Sequence, residues 1–299
     1  MTFSHDIADY PEGIVLPIDK PYRWTSADVI RKVKYAAIRH FRKKNLKVGH
    51  AGTLDPLATG VLLVCIGPAC KRAQEFQDHD KEYVAGIRFG ATTPSYDLEK
   101  EVDRTFPFEH VTEEAVRAVL PSFLGTQEQV APLFSAKSVD GVRAYEMARK
   151  MYRNAQKGIT DPDFDAAALE TLHHSTITIH DLELLEFEKA SAIPPRTKIF
   201  SPEKRSKKFC PTPEADAQLS ASTASSRINV ADTSSMGLPE ATIRIACSKG
   251  TYIRAFARDL GEALGTGAHL SSLVRTKTGT FRLEDALSLD EALALLAAD

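Results

Sequence analysis

The alternation of apolar and polar positions changes period several times along the chain, and each change marks an element. Gly13–Asp19 (GIVLPID) reads as a short buried strand, broken by Lys20-Pro21. Thr25 or Ser26 then caps a helix. Its apolar positions Val29, Ile30, Val33, Ala37 and Phe41 recur at helical spacing, with basic residues on the other face. Val48–Ala58 reads as a loop. The apolar run Gly60–Gly67 (GVLLVCIG) predicts a buried strand. Lys81–Phe89 predicts another, with Tyr83, Ala85, Ile87 and Phe89 on one side. Glu113–Phe123, capped by Thr112, predicts a helix with Val116, Val119, Leu120 and Phe123 on its apolar face. Ala144–Ala155 predicts a basic helix, and Ser175–Phe187 and Thr242–Cys247 predict strands. Ile253–Leu264 predicts a helix ended by Gly265, and Ser288-Leu289-Asp290-Glu291 is a capping box opening the last helix.

Residues 190–240 depart from this patterning. They are rich in Ser, Thr, Ala and Pro and poor in periodic apolar positions, which predicts a long, mostly disordered insertion between two strands. Mixed strands and helices without a regular βα repeat point to an α+β fold with a mixed sheet.

Composition narrows the class. Hydrophobic residues are 43% and charged residues 26% of the 299 positions, ordinary for a globular protein of one large or two modest domains. No run of about 18 apolar residues suggests a membrane span, and the acidic N-terminus has no apolar signal region, so the expected location is the cytoplasm. Cys65, Cys70, Cys210 and Cys247 form no CxxC pair and have no metal-ligand spacing with histidine; buried free thiols and no metal are expected. The net charge of −2 argues against a nucleic-acid binder, but the distribution of charge argues for one. Eight Lys and Arg fall between Arg31 and Lys47 with no Asp or Glu among them. Further basic groups lie at Arg143–Lys157 and Lys249–Lys277. Three such segments hint at a phosphate-rich ligand.

The most informative stretch is Gly49-His50-Ala51-Gly52-Thr53-Leu54-Asp55-Pro56-Leu57-Ala58-Thr59-Gly60. Pro56 biases Asp55 away from the α region, and Gly52 and Gly60 permit sharp turns. Such a loop can hold one carboxylate rigidly in a cleft; an ordinary surface Asp-Pro turn has the same local signature. The whole segment resembles the signature loop of the TruB-type pseudouridine synthases, G-H-x-G-x-L-D-P-x-A-x-G-x-L. Lys20-Pro21-Tyr22-Arg23-Trp24-Thr25-Ser26 is similar to the family's K-P-x-G-x-T/S-S motif, with Arg23 in place of glycine. Lys81-Glu82-Tyr83 with Gly90…Asp97, Gln129…Arg149, and Cys247…Arg254 with Leu273-Val274-Arg275-Thr276 resemble its other motifs, in family order. Ala131, Phe134 and Ser138 depart from the pattern. The similarity covers roughly residues 13–187 and 241–283.

That resemblance implies a pseudouridine synthase fold, α+β, with a mixed, mainly antiparallel central sheet flanked by helices and loops. It implies residues 1–12 as a tail, 13–189 with 241–285 as the catalytic domain, a thumb-like RNA-gripping segment at about 127–160, the insertion at 190–240 and a terminal helix at 286–299. Only a short tail follows Thr276, so no C-terminal PUA-type RNA-binding domain is expected, and the chain resembles a stand-alone bacterial enzyme. The implied substrate is transfer RNA, at the uridine of position 55 in the TΨC arm. No cofactor, metal, guide RNA or membrane is implied, and a monomer is expected. By resemblance, Asp55 is the nucleophile and Arg254 its partner. Tyr83 stacks on the target base and is the candidate for taking the C5 proton. Tyr252 and Leu273 line the uridine pocket, His50 fills the gap left by the flipped base, and Lys20 supports the site or a phosphate. Two other classes are open: an RNA-binding or RNA-folding module, and a glycosidic-bond hydrolase. The hydrolase needs two facing carboxylates, and nothing in the sequence pairs Asp97 or Asp259 with Asp55.

Overall fold

In the computed structural model, residues 3–132, 138–139, 142–143, 174–191 and 228–297 are described. The helix expected at 144–155, the thumb beyond Pro132, most of the insertion and Cys210 lie outside them. One ten-stranded sheet organises the rest. Its central strand β3 (Ala58–Ile66) is apolar because both faces are covered; Val61 through Ile66 are fully buried. On one edge β3 pairs antiparallel with β1 (Ile14–Lys20), Ile14 opposite Ile66 and Lys20 opposite Gly60. Its other edge is shared. β2 (Val48–Ala51) pairs antiparallel with Leu63–Ile66, and β12 (Ala268–Thr278) pairs parallel with Ala58–Gly60. The loop joining β2 to β3 therefore emerges where β2 ends and β12 begins. Beyond β12 the sheet continues antiparallel through β4 (Lys81–Phe89), β11 (Glu240–Cys247), β10 (His174–Glu188) and β7 (Gly125–Val130).

Two sequence expectations need correction here. Val48–Ala51 is a strand and not the start of a loop, because the buried edge of β3 needs backbone partners. Helix α3 (Glu113–Val119) is shorter than expected. Leu120–Phe123 tightens into a 3₁₀ turn at Pro121, which has no N–H to continue the ladder.

Helix α1 (Ser26–His40) starts at Thr25, whose hydroxyl and the Asp28 carboxylate form a reciprocal capping box. It buries Val29, Val33 and Ala37 and turns its basic face to solvent. Helix α4 (Ile253–Ala263) ends before Gly265, at φ 70°. The chain's last described elements join the same core. β14 (Leu287–Ser288) adds parallel to β1, and α5 (Leu289–Leu295) buries Leu289 and Ala292. Residues 228–239, placed in the insertion by composition, pack against the sheet, with Ala231 and Thr233 buried. Among the described residues no helix is long and apolar enough to cross a membrane.

Candidate active site

Asp55 opens a tight turn in which the Ala58 N–H donates to its carbonyl at 3.1 Å, with Pro56 in the position that suits its fixed φ. Three groups from elsewhere grip this loop. Ser26, at the start of α1, donates to the Leu54 carbonyl at 3.1 Å and accepts the Leu54 N–H at 2.9 Å. Arg275, on β12, donates to the carbonyls of Val61 (2.7 Å), Gly52 (3.2 Å) and Thr53 (3.4 Å). Lys20, at the end of β1, donates to Trp24 (2.6 Å), Pro21 (2.9 Å) and Pro56 (3.2 Å) carbonyls. Lys20 is fully buried. Its ammonium is enclosed by these carbonyls and holds the Asp55 turn from below. Gly60, at φ 100°, lets β12 close in; a Cβ there would stand 2.2 Å from the Arg275 carbonyl oxygen.

Arg254 comes up from the first turn of α4. Its Nε donates to Asp55 Oδ2 at 2.9 Å and its Nη2 to Asp55 Oδ1 at 3.2 Å, a two-pronged pair. Nη1 donates to the Ser95 carbonyl at 3.2 Å. The Arg254 side chain is 6% exposed and that of Asp55 36%, so the cation is enclosed and the carboxylate faces the opening. The turn before α4 is fixed by Gln129, which accepts the Tyr252 N–H at 2.8 Å and donates to its carbonyl at 3.2 Å.

A second carboxylate shares the arginine. Asp97 Oδ2 lies 3.9 Å from Arg254 Nε, while Oδ1 accepts the Ser95 hydroxyl at 2.6 Å and the Glu99 N–H at 2.9 Å. Asp97 and Asp55 line one cleft with Leu57, Leu98 and Leu273. The fold thus pairs Asp97 with Asp55 where the sequence did not, whereas Asp259 is taken up by Arg258 at 2.7 Å. Both carboxylates contact one guanidinium between them, an arrangement unlike the open, facing pair of a hydrolase. Burial pushes the Asp97 carboxyl up and Asp55 pushes it further, with Arg254 opposing. Burial works against the charge of Arg254, but Asp55, Asp97 and Glu99 outweigh it and its pKa rises.

Tyr83 stands on β4 opposite Arg275 of β12 and is 8% exposed. Burial raises its phenol pKa; Arg275 partly offsets this and the Asp55 charge adds to it, so the tyrosine and the carboxylate share one field. His50, on β2, has its Nδ1 buried without a hydrogen-bond partner among the described residues. Burial, then Arg275, lowers its pKa and favours the neutral ring. The cleft is partly open to solvent and leaves about 10 Å³ of space between its walls. Of the residues singled out from sequence, Asp55, Arg254 and Leu273 meet directly at the cleft, and Tyr83 and His50 gather around Arg275 beside it. Tyr252 precedes α4, its backbone held by Gln129, and Lys20 lies beneath the loop. Sequence reasoning assigned no part in the site to Arg275, Ser26 or Gln129. All three lie inside or beside quoted motifs, which was the available signal.

Residues 39–199 match the TruB family pseudouridylate synthase N-terminal domain, and residues 254–299 match the tRNA pseudouridylate synthase B C-terminal domain. A tRNA pseudouridine synthase B of Phocaeicola vulgatus is 44% identical over 282 residues, covering 94% of this chain and 92% of that one. Its namesake in Bacteroides thetaiotaomicron is 44% identical over 279 residues, covering 93% and 91%. Among solved structures, a chain of a Cbf5-Nop10-Gar1 complex superposes with a TM-score of 0.56 at 22% identity. The match covers 96% of this chain but only 56% of that one, and it bears on the fold alone. With half the chain matched by the N-terminal domain and close relatives aligned over nearly their full length, this chain belongs to the TruB family of pseudouridylate synthases.

Proposed function

We propose that the protein isomerises a uridine of transfer RNA to pseudouridine, at position 55 of the TΨC arm, with Asp55 as the nucleophile. The curated relatives, named tRNA pseudouridine synthase B, support the substrate. The reaction breaks the N1–C1′ bond and joins C5 to C1′; the C5 proton leaves and N1 gains one. No electrons or water are consumed, so a carboxylate, a pocket and a proton acceptor suffice. The observation that carries the reading is the two-pronged Asp55–Arg254 pair at the mouth of the cleft. It presents an aimed carboxylate that burial of the arginine keeps in place. The target base leaves its stack to reach Asp55, at a cost of a few kcal/mol that is smaller in a loop than in a duplex. Tyr83 stacks on the base and assists removal of the C5 proton, Leu273 and Tyr252 line its pocket, and His50 fills the gap it leaves. Residues 13–189 and 241–285 form the catalytic region, and 127–160 grip the RNA. The enzyme acts as a monomer without guide RNA.

The exposed face of α1 and the turn after it supply phosphate contacts. Arg31 pairs with Asp28, whereas Lys32, Lys34, Arg39, Arg42, Lys43, Lys44 and Lys47 are exposed and form no ion pair among the described residues. Incubating the purified protein with an unmodified transfer-RNA transcript, followed by pseudouridine mapping, tests the assignment. Conversion confined to position 55 is expected; conversion elsewhere, or release of free uracil, would overturn it.

A further inference from the structure

We propose that Arg23 is a positioning residue that latches segment 228–233 against the rim of the catalytic cleft and so sets the shape of the pocket that receives the RNA. This rests on reading the cleft as the uridine pocket. Arg23 sits at φ 61°, a left-handed conformation that a residue with a Cβ adopts against steric resistance, at the motif position where glycine is expected. The conformation sends its side chain across the fold, where Nη2 donates to the Ile228 carbonyl at 2.6 Å. An observed backbone outlier with a specific long-range bond points to a local purpose.

The segment that Arg23 holds is tied to the cleft lining at two further places. The Ala231 N–H donates to the Leu98 carbonyl at 2.8 Å, and Ala231 is buried there. Leu98 is a wall of the cleft and the neighbour of Asp97. Nearer β11, Arg88 bridges Thr233 Oγ1 (2.7 Å) and Glu240 Oε2 (2.6 Å). Glu240 Oε1 accepts the hydroxyl of Ser271, another wall residue, at 2.7 Å. At its other end the latch starts from the turn that supports the catalytic loop, since Trp24 follows Arg23 and its carbonyl takes the Lys20 ammonium that also holds Pro56. Arg23 thus couples the floor of the site to one of its walls. Because Leu98 is a cleft wall while the Asp55 loop is held separately by Lys20, Ser26 and Arg275, a bond that fixes this wall governs RNA binding more than the chemical step.

The test compares wild type with Arg23→Gly and Arg23→Lys. Glycine takes φ 61° without strain, so Arg23→Gly folds. We expect Arg23→Gly to raise KM for transfer RNA about 3- to 10-fold with kcat within about 2-fold, the net scale of one ordinary hydrogen bond. The Ala231 amide should exchange faster with solvent deuterium in the same variant. Arg23→Lys keeps one donor and should recover part of both effects. Wild-type KM and wild-type Ala231 protection in Arg23→Gly would overturn the proposal, as would a fall in kcat and melting temperature with KM unchanged. If wild type formed no pseudouridine, the pocket reading would fail instead, and exchange at Ala231 would still decide whether the latch exists.

Discussion

Arg254 and Asp55, 199 positions apart, meet through two hydrogen bonds of 2.9 and 3.2 Å, with the guanidinium enclosed and the carboxylate half open. Removing the cation leaves Asp97 buried beside Asp55 with no counter-charge. Arg254→Ala is expected to lower kcat by about 10²-fold or more and stability by about 3 kcal/mol. Arg254→Lys keeps the charge but loses the fork, and should recover stability better than activity. Single-turnover pseudouridine formation and urea unfolding separate the two effects.

Lys20 holds the same loop from below. Lys20→Met keeps the volume but leaves the carbonyls of Pro21, Trp24 and Pro56 without this donor. A loss of about 1–3 kcal/mol of stability is expected, with a fall in kcat as the Asp55 turn loosens. Unchanged kcat in a folded Lys20→Met enzyme would show that the loop needs no such support.

Lys81 gives a pH dependence whose sign is fixed. Burial, then repulsion from Arg275, lowers its ammonium from 10.5 to about 8. Its Nζ donates to the Gln77 and His79 carbonyls, each at 2.5 Å. The folded state therefore releases this proton before the unfolded chain does. Its unfavourable effect is fully present below about 8 and is relieved as pH rises toward 10.5. The stability of wild type relative to Lys81→Met should rise across that window, as read by unfolding at several pH values. A difference that stays flat or falls would contradict the assignment. The comparison is needed because the Cys65 and Cys247 thiols, pushed up to about 11 by burial, act in the opposite direction over part of the range.

The α1 surface predicts salt-dependent binding. Replacing Lys32, Lys34 and Arg39 together by Gln should weaken RNA binding and reduce the slope of log affinity against log salt by about 2 to 3, at roughly 0.7–0.9 per lost phosphate contact. An unchanged slope would place the RNA on another face. Folding should be unaffected, since all three side chains are exposed.

Much of this fold was legible because its period was clean. The helix from Ser26, the strand from Lys81 and the capping box at Ser288 follow directly from spacing and capping chemistry. β12 was missed because register shifts after Leu270 and after Arg275 break its alternation. β7 was missed because it lies at the end of the sheet and is polar and mostly exposed. Asp55 and Arg254 were readable from motif context, but their separation of 199 positions hides the contact from any local rule. The same holds for Ser26, Arg275 and Gln129, whose roles arise only when distant segments meet.

The most direct test of the central claim is Asp55→Asn, which keeps the size of the side chain and removes its charge. Pseudouridine at position 55 of a transfer-RNA transcript should be absent after incubation with this variant, while gel-shift affinity for the transcript stays near that of wild type. Turnover by the Asp55→Asn enzyme at the wild-type rate would contradict the account.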